Sequence, residues 1–335
     1  MIILGIETSC DDTAISLVNE KGTVLSNVLS SQEVFHKNFG GIVPEIASRK
    51  HSELIGYAIT ETLKIAGKSL EDIDLISVTK GPGLVGSLII GVETAKAISF
   101  ALNKPLIGIN HLEGHIYSLF LGGPKLSKIK NPFPLIILIV SGGHTELVLM
   151  ENHLKYRVIG RTRDDAAGEA IDKFARFLGY GYPGGPLIEK LGINGNPEFH
   201  KFPHLTFKGS PYEFSFSGLK TAGIYFLEKN PAAVKNNLND IAASFEKTVV
   251  DILTERTIRA AVDYKVKGIG VVGGVSANKR LRKTLTTEAP VEVFLPEKTF
   301  STDNAAMIAL AGYRHFERGE KDNLLLDVYS RLEIE

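Results

Sequence analysis

The stretch IILGIETSCDDTAISLVN, residues 2–19, decides the fold class of this chain. Its two ends, IILGIE (2–7) and TAISLVN (13–19), are apolar runs of strand length, and the polar turn TSCDD joins them. The turn EKG (20–22) then leads into a further apolar run near 23–29. The sequence therefore predicts three consecutive strands at the N-terminus, connected by short turns.

The same layout recurs in the second half of the chain. LIILIV (135–140), the turn SGG and HTELVLM (144–150) predict a second hairpin, and LKYRVIG (154–160) predicts its third strand. Each set of three strands leads into an Ala-rich helical stretch, and two strand–helix steps close each half in the same order. The order βββαβα, found twice, predicts a duplicated α/β fold of two lobes with a cleft between them.

Length and composition agree with two compact domains. The chain has 335 residues, of which 44% are hydrophobic and 23% charged, and its formal net charge is zero. We expect an N-terminal lobe over 1–125 and a C-terminal lobe over 130–335, with the last helix, about 304–318, a candidate for packing back on the first lobe. The longest aliphatic run, LIILIV, is far shorter than the roughly 20 residues that span a bilayer. A cytoplasmic protein without a membrane span is therefore expected.

The stretch NHLEGH (110–115) places His111 and His115 four residues apart at the start of a predicted helix, on one face and at metal-chelating separation. A zinc peptidase of the HExxH type needs a glutamate directly after its first histidine, where Leu112 stands. Asp303 follows the corresponding strand of the second half, so pseudo-symmetric lobes would bring the three residues together across the cleft. Such a set suits zinc or ferrous iron. Spacing alone leaves open two histidines without chemical function and a helix-capping role for the aspartate.

Glycine-rich turns follow several of the predicted strands. VSGGH (140–144), VGGVSANKRLR (272–282) and KGPGLVGS (80–87) expose backbone N–H groups that can bind an anion such as phosphate. They favour nucleotide binding, although none matches the P-loop pattern and each could be a tight turn without a ligand. Asp11 and Asp12, in the first turn, could bind a metal, act as a general base or form an Asx turn.

Ten ordered motifs, spread from residue 3 to about 313, resemble the bacterial tRNA N6-adenosine threonylcarbamoyltransferases, the TsaD/Gcp/YgjD family formerly called O-sialoglycoprotein endopeptidases. The resemblance implies an α/β fold of the actin-like ATPase type (sugar kinase/Hsp70-like), which has two lobes and an interlobe cleft. The motifs are ETSCDDT, GGIVPEIASRKH, KGPGLVGSLIIGVETAKAIS, NHLEGH, VSGGHTEL, DDAAGEAIDKFARFLG, YPGGP, FSFSGLKT, VGGVSANKRLR and STDNAAMIA.

The resemblance also implies a reaction, in which threonylcarbamoyl passes from threonylcarbamoyl-AMP to the N6 amine of adenosine 37 in tRNAs reading ANN codons, with release of AMP. It implies one divalent metal per subunit, Fe²⁺ ahead of Zn²⁺, held by His111, His115 and Asp303. An adenine nucleotide, either threonylcarbamoyl-AMP or ATP/ADP, would occupy the cleft. The residues that the motifs assign to it are Ile139, Val140, Ser141, Gly142, Gly143, Asp172, Gly185, Glu189 and Asn278.

The family also implies partners, namely the tRNA substrate, a paralogous actin-fold (TsaB-like) subunit and a small P-loop ATPase (TsaE-like). A homodimer is the candidate assembly for the isolated chain. For the catalytic base, Asp11 and Asp12 are the candidates that the sequence offers. The alternatives are an actin-fold ATPase or small-molecule kinase, a non-catalytic scaffold and a metallopeptidase.

Overall fold

The computed structural model describes residues 1–36, 39, 41–122, 126 and 129–334. The chain divides into two compact units: unit 1 is Met1–Lys130 with Pro296–Glu335, and unit 2 is Asn131–Leu295. The expected C-terminal lobe ran to residue 335, with the last helix, about 304–318, a candidate for packing back on the first lobe. In the observed division the chain returns to the first unit after Leu295, and that helix belongs to unit 1.

Unit 1 is built on one five-stranded sheet with the order β3-β2-β1-β4-β5. The strand β2 pairs antiparallel with β1 and β3, whereas β1, β4 and β5 run parallel. The elements are β1 (Ile2–Glu7), β2 (Asp12–Asn19), β3 (Val24–Ser31), α1 (Glu33–His36), α2 (Pro44–Ala66), β4 (Leu75–Gly81), α3 (Val85–Leu102), β5 (Leu106–Asn110), α4 (His111–Tyr117) and, after unit 2, α11 (Ala305–Glu317).

Unit 2 is built on a second five-stranded sheet with the order β10-β9-β6-β7-β8. Here β7 pairs antiparallel with β6 and β8, whereas β6, β9 and β10 run parallel. The elements are β6 (Leu135–Val140), β7 (Thr145–Asn152), β8 (Lys155–Arg161), α5 (Ala167–Phe177), α6 (Gly184–Gly192), α7 (Ser217–Lys229), α8 (Pro231–Asn236), α9 (Leu238–Asp263), β9 (Gly268–Val272), α10 (Lys279–Glu288) and β10 (Glu292–Phe294).

The two sheets have the same topology, which confirms the predicted duplication of the strands. The predicted order βββαβα has one helix between the third and fourth strands, whereas unit 2 has five, α5 to α9, between β8 and β9. The strands β6, β7, β8, β9 and β10 take the places of β1, β2, β3, β4 and β5, with the same parallel and antiparallel neighbours. All six residues of LIILIV are buried in β6, as expected for a strand that lies inside a sheet and is covered on both faces. The cleft between the units stays a prediction.

Local signals explain where the main helix of unit 1 begins and ends. Pro44 occupies the first helical turn of α2, where its missing N–H is not needed. Gly67 ends the helix at a φ of 61°, and its N–H donates to the carbonyl of Lys64 at 3.1 Å. A residue with a side chain rarely adopts that left-handed conformation, so glycine suits this position.

The helix α11 packs on the sheet of unit 1, although it follows the last strand of unit 2 along the chain. Two glycines permit the close approach. A Cβ added to Gly5 in β1 would collide with the carbonyl oxygen of Ala305, and one added to Gly312 would collide with the Ser77 hydroxyl in β4. This contact brings the residues that precede α11 to the carboxyl ends of β1 and β5.

One helix among the described residues, α3, is long and apolar enough to cross a membrane on length and composition alone. Core helices of water-soluble domains pass the same test. In unit 1, α3 packs against β4 and α2, and a third of its apolar window is buried. Val85, Ile89 and Phe100 remain exposed on it.

Candidate metal centre and nucleotide-binding turns

The two histidines lie at the start of α4, directly after β5. The side chain of Asn110 caps the helix, since its Oδ1 accepts a hydrogen bond from the N–H of Leu112 at 2.9 Å. One helical turn then separates His111 from His115, and their ring centroids lie 4.7 Å apart. Both histidines are buried, His115 completely.

Asp303 completes the group. Its Oδ1 lies 3.2 Å from Nε2 of His115 and 3.5 Å from Nε2 of His111, and one potential ligand atom from each of the three residues lies within 4.8 Å of the others. The N-cap of α11 is Asn304, whose Oδ1 accepts from the N–H of Met307 at 2.9 Å. The capping role considered for Asp303 is therefore taken by its neighbour.

All three residues belong to unit 1. The hypothesis that Asp303 reaches the histidines from the second lobe is wrong, because residues 296–335 return to unit 1 and α11 packs against α4. The two sheets do share one strand order, but α11, the last helix of the second repeat, packs on the sheet of unit 1.

The state of His115 fits a metal ligand. Both of its ring nitrogens are buried and neither has a hydrogen-bond partner among the described residues, since the 3.2 Å approach of Asp303 to Nε2 lacks hydrogen-bonding alignment. Leaving such a polar atom buried and unpaired costs about 1–3 kcal/mol. A divalent cation bound to Nε2 would remove that cost, and two imidazoles with one carboxylate suit zinc or ferrous iron.

Behind the histidines lies Glu7, the last residue of β1, which the sequence analysis missed. Its Oε2 lies 2.9 Å from Nδ1 of His111. The Thr79 hydroxyl donates to Oε2 and the Ser9 N–H to Oε1, both at 2.6 Å, so the carboxylate is held in place. A carboxylate that accepts from the distal nitrogen of a ligating histidine orients the ring and raises its basicity. In the sequence Glu7 ends the apolar run IILGIE and begins the motif ETSCDDT, but neither feature couples it to His111.

The electrostatics of this pair follow from its burial. Burial alone would raise the pKa of Glu7, but the charge and hydrogen bond of His111 outweigh it and lower that pKa. Burial likewise opposes protonation of His111, yet Glu7 and Asp303 together raise its pKa to about 9. This raised pKa favours the protonated ring of His111 in the metal-free protein. Binding of a cation at Nε2 must release that proton.

The acidic turn after β1 also lies in unit 1. Burial raises the pKa of Asp12 to about 7 and is opposed only in part by a hydrogen bond from Ser31. Its Oδ1 is buried without a hydrogen-bond partner among the described residues. Burial raises the pKa of Asp11 as well. His51 supports the turn from α2, since its Nε2 lies 3.0 Å from the Cys10 carbonyl oxygen.

The nine residues predicted to bind substrate all lie in unit 2. Ile139 and Val140 end β6 with their side chains buried in the sheet, so only their backbone is available to a ligand. The Ser141 N–H donates to the carbonyl of His144 at 2.9 Å, which closes a tight turn. Gly142 and Gly143 at its tip are exposed, with open space where a Cβ would lie.

A second part of this candidate site joins α5 to α6. The Oδ1 of Asp172 accepts a hydrogen bond from the N–H of Gly184 at 2.7 Å. Burial raises the pKa of Asp172, while the N–H groups of Gly184 and Gly185 act in the opposite direction. Gly185 has open space at its Cβ position, as do the tip glycines of the Ser141 turn.

A third part consists of Glu189 and Asn278, which contact each other. Asn278 Nδ2 donates to Glu246 Oε1 at 2.7 Å and to Glu189 Oε2 at 3.2 Å, and its Oδ1 accepts from the Leu281 N–H. Both amide hydrogens are thus used inside the protein, which makes Asn278 an anchor for Glu189. Glu246, buried and paired with Arg280 Nε at 2.8 Å, is a further residue that the sequence analysis missed.

Solved structures share this architecture at low sequence identity. HypF from T. kodakarensis aligns with a TM-score of 0.60 at 14% identity, over 95% of this chain and 48% of HypF. Component A of (R)-2-hydroxyglutaryl-CoA dehydratase from Acidaminococcus fermentans aligns with a TM-score of 0.54 at 17% identity, over 94% of this chain and 98% of that one. This is a protein of the actin-like ATPase fold, as predicted, with a two-histidine, one-carboxylate candidate centre.

Sequence relatives narrow that class to one family. The model of the family TsaD, tRNA N6-adenosine threonylcarbamoyltransferase, matches residues 23–310. The tRNA N6-adenosine threonylcarbamoyltransferase of Caldicellulosiruptor saccharolyticus is 49% identical over 96% of this chain and 94% of its own length. That of Thermosipho africanus is 47% identical over 100% of both chains. The chain belongs to the TsaD family of transferases, which confirms the resemblance read from the ten motifs.

Proposed function

We propose that this protein transfers the threonylcarbamoyl group from threonylcarbamoyl-AMP to the N6 amine of adenosine 37 in tRNAs reading ANN codons and releases AMP. The observation that carries the proposal is the match to the transferase family over nearly the whole chain. The attacking amine forms a bond to the carbamoyl carbon, the bond from that carbon to the phosphate oxygen breaks, and AMP leaves with the electron pair.

His111, His115 and Asp303 would hold one divalent metal, with Fe²⁺ ahead of Zn²⁺. Two observations support this assignment: the buried ring nitrogens of His115 have no hydrogen-bond partner among the described residues, and a carboxylate lies behind His111. When bound, such an ion supplies Lewis-acid polarisation and a template for the threonylcarbamoyl group. Glu7 keeps Nδ1 of His111 occupied, so that Nε2 is the nitrogen left for the centre.

The turns of unit 2 would bind the adenylate. The backbone N–H groups of Gly142 and Gly143 can donate to a phosphate or to the carbonyl oxygen on which charge develops. Space at these glycines and at Gly185 lets a ligand approach the backbone closely. The carboxylates of Asp172 and Glu189 suit hydroxyl and amine donors of a nucleoside.

Asp12 is the better of the two candidates for accepting the N6 proton. A general base works best when its pKa lies near the operating pH, and burial brings the pKa of Asp12 to about 7. Its Oδ1 has no hydrogen-bond partner within the described part of the chain, so this lone pair is not committed elsewhere. In this role the proton moves from the adenine amine to the Asp12 carboxylate as the C–N bond forms.

The proposed partners are a paralogous TsaB-like subunit, a TsaE-like P-loop ATPase and the tRNA. The proposed location of the protein is the cytoplasm. An apolar groove of about 530 Å³ between α2 and α3 supports a protein contact on unit 1, by the paralogue or, in isolation, by a second copy of the chain. Because the formal net charge is zero, this chain has no global basic field, so the tRNA would bind a surface to which several subunits contribute. The apolar residues that line the groove include Ile55, Ile59, Ile89, Ile90 and Ile98.

Reconstitution tests the function directly. The purified chain is incubated with threonylcarbamoyl-AMP and tRNA, with and without the two partner proteins, and the tRNA is digested to nucleosides. We expect threonylcarbamoyladenosine in the digest and AMP in equal amount. Absence of the modified nucleoside even with the partners, together with phosphorylation of a small molecule by ATP, would favour the kinase alternative.

A further inference from the structure

The direction in which the two histidines point depends on the placement of α4. This helix has seven residues, too few to be stable by itself, so contacts with its neighbours determine its rotation and tilt. It packs against α11, and Gly114 allows the approach, because a Cβ there would lie 2.5 Å from Cδ1 of Ile308. This apolar contact brings the two helices together on one side of α4.

A partly buried ion pair joins the same two helices. Nε2 of His315, near the end of α11, lies 2.9 Å from Oε2 of Glu113 in the middle of α4. Nδ1 of His315 lies 2.6 Å from Oε2 of Glu320. The Glu113 side chain is 8% exposed and that of His315 is 23% exposed, so this contact is largely removed from water.

The ion pair lies on the far side of α4 from the histidines. Glu113 is two residues from each of them, and at about 100° per residue it points roughly 160–200° away from both. His111 and His115 face Asp303 on one side of the helix, while Glu113 is tied to α11 on the other. Two attachments on opposite faces restrain the rotation that one attachment would leave free.

The charges of His315 and its two carboxylate partners make the contact between α4 and α11 directional. Each ring nitrogen of His315 faces a carboxylate oxygen, and both can donate only when the ring carries a proton. Burial opposes that charge, but Glu113 and Glu320 outweigh it and raise the pKa of His315. A charge-assisted hydrogen bond of this type is both stronger and more directional than a neutral one.

We propose that Glu113 and His315 are positioning residues of the metal centre: their ion pair fixes the rotation of α4 and so aims Nε2 of His111 and His115 at the site beside Asp303. The inference rests on the proposed metal centre, but not on the transfer reaction. It gives the central glutamate of NHLEGH a role outside catalysis, and it assigns a function to a histidine that no motif of the sequence marked.

Metal binding to the metal-free protein tests the proposal without an activity assay. Zn²⁺ affinity is measured by calorimetry, and the visible absorption of bound Co²⁺ reports the ligand geometry. We expect Glu113→Ala and His315→Gln to weaken Zn²⁺ binding by about 10–100-fold and to change the Co²⁺ spectrum. Glu113→Gln, which keeps a hydrogen-bond acceptor, should lose less than Glu113→Ala.

The matched control is Arg314→Gln, which breaks the 2.7 Å ion pair with Glu317 on the same turn of α11. It should bind Zn²⁺ with the affinity of the original protein. Thermal unfolding of each metal-free variant separates positioning from general destabilisation: the proposal requires lower affinity in a variant whose melting temperature stays close to that of Arg314→Gln. Glu113→Gln provides this comparison if Glu113→Ala does not fold.

Two different results would overturn the proposal, and they are distinguishable. If Glu113→Gln, Glu113→Ala and His315→Gln all bind Zn²⁺ normally while His111→Ala does not, the ion pair has no positioning role and the metal centre stands. If the unsubstituted protein shows no saturable site, or if His111→Ala binds Zn²⁺ unchanged, the metal centre itself is refuted and the positioning role with it.

Discussion

Replacing Asp12 by asparagine should remove a loss of folding stability that the original protein suffers as the pH rises. Burial raises the pKa of Asp12 from 3.8 to about 7. A carboxyl group whose pKa is higher in the folded state binds its proton more tightly there, so its contribution to stability is complete below the unfolded pKa. It is lost as the pH rises from about 4 through about 7.

The size of the effect follows from the two pKa values. The difference between about 7 and 3.8 is close to 3, and at 1.36 kcal/mol for each unit the largest change is about 4 kcal/mol. Because the side chain of Asp12 is only partly buried, a change of about 2–4 kcal/mol is a realistic expectation. An asparagine at this position carries no charge at any of these pH values.

The assay is denaturant unfolding of metal-free protein at pH 4.5 and pH 8, compared between the original chain and Asp12→Asn. The free energy of unfolding of the variant minus that of the original should be about 2–4 kcal/mol larger at pH 8 than at pH 4.5. Asp11→Asn is a second test at the neighbouring position. Its difference in unfolding free energy should change with pH in the same direction, because burial also raises the pKa of Asp11. An equal difference at both pH values for Asp12→Asn would show that Asp12 does not titrate near 7, and the reason for preferring it as the base would fall with it.

Three further predictions concern the two candidate sites. His111→Ala and His115→Ala should each lower bound metal and transferase rate together, as measured by elemental analysis and single-turnover transfer, whereas full metal occupancy in the double variant would refute the centre. Gly143→Val fills open space at the turn, so it should weaken AMP binding at least tenfold in calorimetry while the melting temperature changes little; unchanged binding would remove that turn from the site. Glu246→Ala removes an acceptor of the Asn278 amide and should weaken AMP binding by about 1–3 kcal/mol, which Asn278→Ala should match; a loss in only one of them would separate the two residues.

The candidate centre illustrates why a motif and its chemistry need separate evidence. The spacing of the histidines was visible in NHLEGH, and Leu112 already argued against a peptidase. What supports a metal is instead the state of His115, whose buried ring nitrogens have no hydrogen-bond partner in the described part of the chain, and the carboxylate of Glu7 behind His111. The proton on His111 also predicts how metal affinity depends on pH. The affinity should rise with pH up to about 9, because the proton becomes easier to release.

By itself the sequence determined the strands, their order and the duplication. Apolar runs of strand length and the short turns between them are local properties, so the predicted strands at 2–7 and 13–19 match Ile2–Glu7 and Asp12–Asn19 closely. The repeat then required one topology for both sheets, and the ten motifs identified the family. These signals are all contained in neighbouring residues, and no knowledge of the folded chain is needed to read them.

Only the tertiary structure decided which residues act together. Glu7 and His111 are 104 residues apart, and Glu113 and His315 are 202 apart, so no local pattern couples them. The sequence offered the last helix only as a candidate for packing on the first lobe, and the close packing of α11 at Gly5 decides that it belongs to unit 1. The physical reason is common to all three cases: a side chain's partner is determined by how the sheets and helices pack, which the periodicity of one segment does not encode.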